Sequence, residues 1–125
     1  LDSLKCYSMA FNTLFHFDFD VVVLLGTAHF KDSGYFMICD KDYDSPLKNL
    51  NTDKDIINSI ITNYKTKNDL LILEQKLNRK GILIDNLAHK NEHSLELHTV
   101  FLSYIFKVKN QQIPIIPILT GSINN

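Results

Sequence analysis

Val21-Val22-Val23-Leu24-Leu25-Gly26-Thr27-Ala28-His29 is the stretch on which the fold turns. Five apolar residues run without a polar interruption and end at a glycine. An apolar run without alternation is the pattern of a strand buried on both faces. Residues 21–25 are therefore expected to form a central, buried strand. In α/β sheets ligands gather beyond the carboxyl ends of the strands. The loop Gly26-Thr27-Ala28-His29-Phe30 is then the first place to look for chemistry.

Upstream, residues 2–15 read as an amphipathic helix. Leu4, Tyr7, Phe11 and Leu14 recur at spacings of three and four, with Asp2 or Ser3 as the cap. His16 to Asp20 connect it to the strand. Downstream, Gly34 breaks the chain and Tyr35 to Cys39 reads as a second strand. Asp40 to Leu50 has loop composition. Asn51 or Thr52 then caps a helix running to about Lys65, with Asp53 and Asp55 at its positive end. Its inward stripe is Ile56, Ile57, Ile60, Ile61 and Tyr64.

Residues 66–80 allow either a short helix or, at 70–73, a strand. Gly81 ends that ambiguity, and Ile82 to Ile84 is a short apolar piece. A long helix is expected from about Glu92 to Lys107. Leu95, Leu102 and Phe106 face inward, with Val100 or Thr99 between them, and Lys107 and Lys109 sit near the negative end. Ile113 to Leu119 is a strand in which Pro114 and Pro117 each lack a ladder donor, so at least one marks an edge or the strand's beginning. Helices alternating with strands give an α/β domain with a largely parallel central sheet flanked by helices.

The chain of 125 residues fits one domain, and 45% hydrophobic content rules out a wholly disordered one. Thirteen basic residues against fourteen acidic ones argue against a dedicated nucleic-acid binder. No apolar run approaches the roughly 18 residues of a membrane helix. No secretory leader is visible, and two cysteines without a C-x-x-C spacing fit a reducing cytoplasm. The sequence starts at Leu1 without Met and stops just past an apolar run. Residues 1–125 are thus expected to be the central part of a longer chain.

Three histidines and two glutamates fall within Ala88-His89-Lys90-Asn91-Glu92-His93-Ser94-Leu95-Glu96-Leu97-His98. On a continuous helix His89 and His93 would be one turn apart, with Glu96 on the side of His93, which is a candidate zinc-binding face. The segment lacks H-E-x-x-H. It reads equally as a polar helix start capped by Asn91. His29, just past a strand, is placed either to bind a metal or act as a base, or simply to hydrogen-bond backbone. Cys6 and Cys39 read as small core residues. Asp40, Asp42 and Asp44 alternate like a calcium loop, but the required glycine and terminal glutamate are missing. There is no glycine-rich phosphate loop and no base-stacking platform.

Four segments, in order, resemble the Memo-like family. Val22 to His29 resembles V-L-L-G-P-x-H. Ser45-Pro46-Leu47-Lys48-Asn49-Leu50-Asn51-Thr52-Asp53 resembles T-P-L-G-x-L-x-x-D. Ala88-His89 through Glu96, then Phe101-Leu102, resembles A-H-x-x-E-H-S-L-E-x-x-x-P-F-L. Ile115 to Gly121 resembles I-V-P-I-L-V-G. Thr27 and Val100 replace prolines of these patterns, and His98 stands where Gln is common.

The family includes the mediator of cell motility proteins and the bacterial and archaeal proteins often encoded beside a radical-SAM enzyme. The resemblance implies a core like that of the class III extradiol dioxygenases, here incomplete. It implies a non-haem iron or copper pocket and redox chemistry on a small molecule or dioxygen. His29 would be a metal ligand and His93 the catalytic residue, with His89, Glu92 and Glu96 as further pocket candidates. It also implies a radical-SAM pathway partner. The family's other ligands, an upstream P-H-A-G histidine and a downstream cysteine, have no match here, nor does its S-D-x-x-H segment. One imidazole cannot hold a catalytic metal, since such sites need about three protein ligands. The alternative is a non-enzymatic protein- or peptide-binding module of the same fold.

Overall fold

The computed structural model describes residues 2–30, 34–66, 72, 75 and 80–121. Its elements in chain order are α1 (Asp2–Phe15), β1 (Val22–Thr27), β2 (Gly34–Ile38), α2 (Lys54–Thr66), β3 (Lys80–Ile84), α3 (Asn86–Lys90), α4 (Glu96–Val108) and β4 (Ile115–Thr120). The four strands form one sheet in the order β1-β4-β2-β3. β1 pairs parallel with β4, β2 parallel with β3, and β2 antiparallel with β4. Helices cover both faces, as expected of an α/β domain. Leu70, Leu71, Leu73 and Leu77 lie outside the described residues. No described helix is long and apolar enough to cross a membrane.

One face carries the larger core. Leu24, Ile115, Leu119 and Met37 point from the sheet toward Phe11 of α1 and toward Leu102, Ile105 and Phe106 of α4. Phe11 and Phe101 stack with ring centroids 4.9 Å apart, which ties α1 to α4. The other face buries Ile38 and Ile116 under Ile57 of α2. On α2, Ile57 and Tyr64 are buried and Ile60 and Ile61 partly so, whereas Ile56 is exposed. Tyr64 packs so tightly over Gly81 that a Cβ there would overlap the phenol oxygen. That contact explains a glycine at the start of β3.

The strand expected to be central is at an edge. β1 has β4 on one side and no described strand on the other. Leu24 is buried, but Val23 is 52% exposed and Leu25 63%. Both lie on the α2 face, beyond the reach of that helix's buried stripe. An apolar run fixes side-chain chemistry, not the number of neighbouring strands.

β4 is central despite its prolines. Pro114 precedes the strand, and its carbonyl accepts from Val22 N–H at 3.0 Å. Pro117 sits where the β2 ladder stops. Cys39 N–H donates to Pro117 O at 3.1 Å, and proline has no N–H to return. Beyond it Ile115 pairs instead with the 51–53 segment: Ile115 N–H donates to Asn51 O at 2.8 Å and Asp53 N–H to Ile115 O at 3.0 Å.

That pairing also corrects the expected cap of α2. Asn51 and Thr52 act as strand partners, and Thr52 N–H is held by Asp42 Oδ1 at 2.8 Å. The cap is Asp53, whose Oδ1 accepts from Ile56 N–H at 2.9 Å. Asp2 and Ser3 both lie inside α1, Leu4 is exposed on it, and Cys6 is exposed rather than core. Cys39 is buried as expected.

Candidate functional site

β1 and β4 run parallel, so their carboxyl ends share one edge of the sheet, and His29 follows β1 there. α4 leads into β4 and runs back against it. Its amino end therefore returns to the same edge. Glu92 and His93 lie in the turn that precedes α4.

The helix expected from about Glu92 starts later, and a separate short helix, α3, precedes it across a turn. α3 is capped by Asp85, whose Oδ1 accepts from Ala88 N–H at 3.0 Å, and Asn91 closes it as the C-cap rather than opening the next helix. α4 begins only at Glu96. Glu92 causes the break: its Oε1 accepts the backbone N–H of His93 at 2.9 Å and of Ser94 at 3.1 Å. A carboxylate that takes the N–H groups of the next two residues holds them in a turn. Within α4, Thr99 rather than Val100 is the buried residue of the inward stripe.

The same carboxylate grips His29. His29 backbone N–H donates to Glu92 Oε2 at 2.5 Å, and its ring Nδ1 lies 3.0 Å from Oε1. The Glu92 side chain is 3% exposed, while those of His29 and His93 are 53% and 65% exposed. Burial favours the protonated carboxyl, but the His29 N–H, the His29 ring and the N–H groups of Ser94 and His93 outweigh it, bringing Glu92 down to about 2. The rings of His29 and His93 stack at 5.8 Å with 13° between their planes, and Phe30 packs on His93 at 5.7 Å. His93 Nδ1 is 3.7 Å from Glu92 Oε1.

Gly26 lets the turn approach this closely. A Cβ on it would meet Ser94 Oγ at 2.6 Å and Leu95 Cδ2 at 2.7 Å. In the sequence Gly26 reads only as a strand end.

His89 has a different role. Its Nε2 is 2.7 Å from Met37 O, a carbonyl that can only accept, so Nε2 donates. Nδ1 then accepts from the Tyr43 hydroxyl at 2.8 Å. Both nitrogens are committed, and burial pushes the pKa down against the opposing Met37 hydrogen bond. The zinc-binding face of His89, His93 and Glu96 does not form, because the chain leaves the helix between them. Among the described residues no three His, Cys, Asp or Glu side chains group to hold a metal.

His89, Glu92 and Glu96 do line one cleft of about 700 Å3, with Cys39, Tyr43 and Lys90. Burial raises the pKa of the Cys39 thiol and of the Tyr43 phenol. His29 and His93 lie outside that lining, and Glu92 belongs to both places. Tyr43 carries no signal in the sequence beyond its nearness to the Ser45-Pro46-Leu47 segment. That segment is anchored by Ser45 Oγ on the buried Ser103 Oγ at 2.9 Å.

A MEMO1 family protein of Aquifex aeolicus (strain VF5) is similar to this chain, 30% identical over 100 residues. The match covers 80% of this chain and 23% of that protein, so the chain spans less than a quarter of the relative's length. The family model described as Memo-like protein matches residues 2–125. The family model covers nearly the whole chain, and the chain belongs to the Memo-like protein family.

Proposed function

We propose that this chain supplies one arm of a metal-dependent redox pocket, with His29 as a ligand to iron or copper and His93 as a proton-transfer or orienting residue. The observation that carries the reading is the stacked pair His29 and His93, held by the buried Glu92 at the carboxyl end of β1. Imidazole suits both metals. His29 is half exposed, and its Nε2 has no hydrogen-bond partner among the described residues. The donor set therefore fits one arm of a metal site. The remaining ligands must come from outside the described residues, as the family resemblance implies.

Iron or copper would supply one-electron chemistry toward a small molecule or dioxygen, in the manner of the extradiol dioxygenases. His29 would bind and orient, and His93 would hold a proton at Nε2, the ring nitrogen turned from Glu92. The resemblance extends the proposal to a radical-SAM enzyme as pathway partner, and the cysteine usage extends it to a cytoplasmic setting. In the full-length protein that carries this chain, His29→Ala should abolish metal content by elemental analysis. His93→Ala should spare the metal and lower dioxygen consumption. Equal metal in wild type and His29→Ala would overturn the reading. A wild type without metal would favour a non-enzymatic module that binds a peptide in the 700 Å3 cleft.

A further inference from the structure

We propose that Glu92 is a positioning residue that fixes His29 as the Nδ1–H tautomer and so makes Nε2 the atom offered to a metal. The proposal rests on the reading of His29 as a ligand and adds which atom ligates and what sets it. A carboxylate oxygen only accepts hydrogen bonds, so a neutral His29 facing Glu92 Oε1 at 3.0 Å must carry its proton on Nδ1. Free imidazole side chains favour the opposite tautomer, with the proton on Nε2. Glu92 therefore selects a form that His29 would not adopt by default.

The grip is rigid for two reasons. Oε2 takes the His29 backbone N–H while Oε1 takes the ring, so one carboxylate fixes both the main chain and the side chain of the residue. Glu92 is in turn locked from behind by the His93 and Ser94 N–H groups on Oε1, and its side chain is almost wholly buried. It cannot swing into water and release the ring. A metal-bound histidine usually donates its second N–H to such a carboxylate, which orients the ring and raises its basicity. Here the arrangement is assembled across a sheet edge from a strand end and a helix-preceding turn.

The test is a long-range 1H–15N correlation spectrum of the metal-free, full-length protein that carries this chain, with ferrous ion then added as the probe. Wild-type His29 should show an unprotonated Nε2 and a protonated Nδ1. Glu92→Leu should return His29 to the Nε2–H form and weaken ferrous binding roughly 10–100-fold. Glu92→Gln keeps an oxygen that accepts from Nδ1. It should preserve the tautomer and lose less affinity, a rescue that a purely structural role would not produce. A wild-type His29 protonated on Nε2 overturns the proposal, as does Glu92→Leu with an unchanged tautomer. Should Glu92→Leu fail to fold, a Glu92→Gln protein showing the Nε2–H form overturns it equally. A wild type that holds the Nδ1–H form but binds no ferrous ion defeats the ligand reading and leaves the assignment of Glu92 supported.

Discussion

At His89 both ring nitrogens are committed, to Met37 O and to the Tyr43 hydroxyl, and each partner follows from burial. A buried imidazole must satisfy both nitrogens. Tyr43→Phe strips the donor from Nδ1 and should lower stability by about 1–3 kcal/mol in a urea melt, the cost of an unsatisfied buried acceptor. The two perturbed groups also set the acid side of the stability profile. His89 has a folded pKa below its unfolded 6.5, because burial disfavours the charged ring. Its contribution is present above pH 6.5 and is lost as the pH falls through the lower folded value. Glu92 is depressed from 4.5 to about 2, so its contribution is present above pH 4.5 and is lost as the pH falls toward 2. Urea midpoints measured from pH 8 to pH 2 should therefore fall in two stages. Glu92→Gln should flatten the lower stage only, and an unchanged lower stage would refute its assignment to Glu92.

Among the elements, those set by one face of periodic apolar residues were legible and those set by a single polar side chain were not. Residues 2–15, the α2 stripe around Ile57 and Tyr64, and the strand expected at Ile113–Leu119, found at Ile115–Thr120, all emerge from the apolar pattern. The break between α3 and α4 does not, because it depends on where Glu92 spends its oxygens, and periodicity carries no information about that. The cap of α2 is hidden for a similar reason: Asn51 and Thr52 have cap chemistry, but Ile115 N–H takes the Asn51 carbonyl and Asp42 Oδ1 takes the Thr52 N–H. Gly26 belongs to the same class, since its need is set by Ser94 and Leu95, far away in sequence. Gly26→Ala should cost about 1–3 kcal/mol through overpacking against the nearly buried Leu95. It should also push the 92–95 turn from β1, so the His29–His93 stacking should loosen. Ring chemical shifts of the two histidines read that displacement, and shifts identical to wild type would refute it.

On the scale of the whole molecule, the sequence carried the class of fold, and the meeting of His29 with His93 follows from α4 packing back along β4, which puts its start at the strand's carboxyl end. It did not carry the order of strands. β1 lies at the edge, with Val23 and Leu25 open on one face, since pairing partners distant in sequence decide position in a sheet. The consequence for function is that the edge bearing His29 is also the edge at which the described sheet ends. Ligands that would complete a metal site around His29 have no counterpart among the described residues, where no three donors converge. A catalytic ion needs about three protein ligands, and a single half-exposed imidazole binds iron or copper only weakly. The 125-residue chain, incubated with ferrous or cupric ion and dialysed, should therefore retain well under one ion per chain by elemental analysis. A full-length member of the family treated in the same way should retain close to one. If the short chain alone held a full equivalent, and lost it on His29→Ala, the ligand set would have to be sought within these residues. If it held one that survived His29→Ala, the site would lie elsewhere in the molecule.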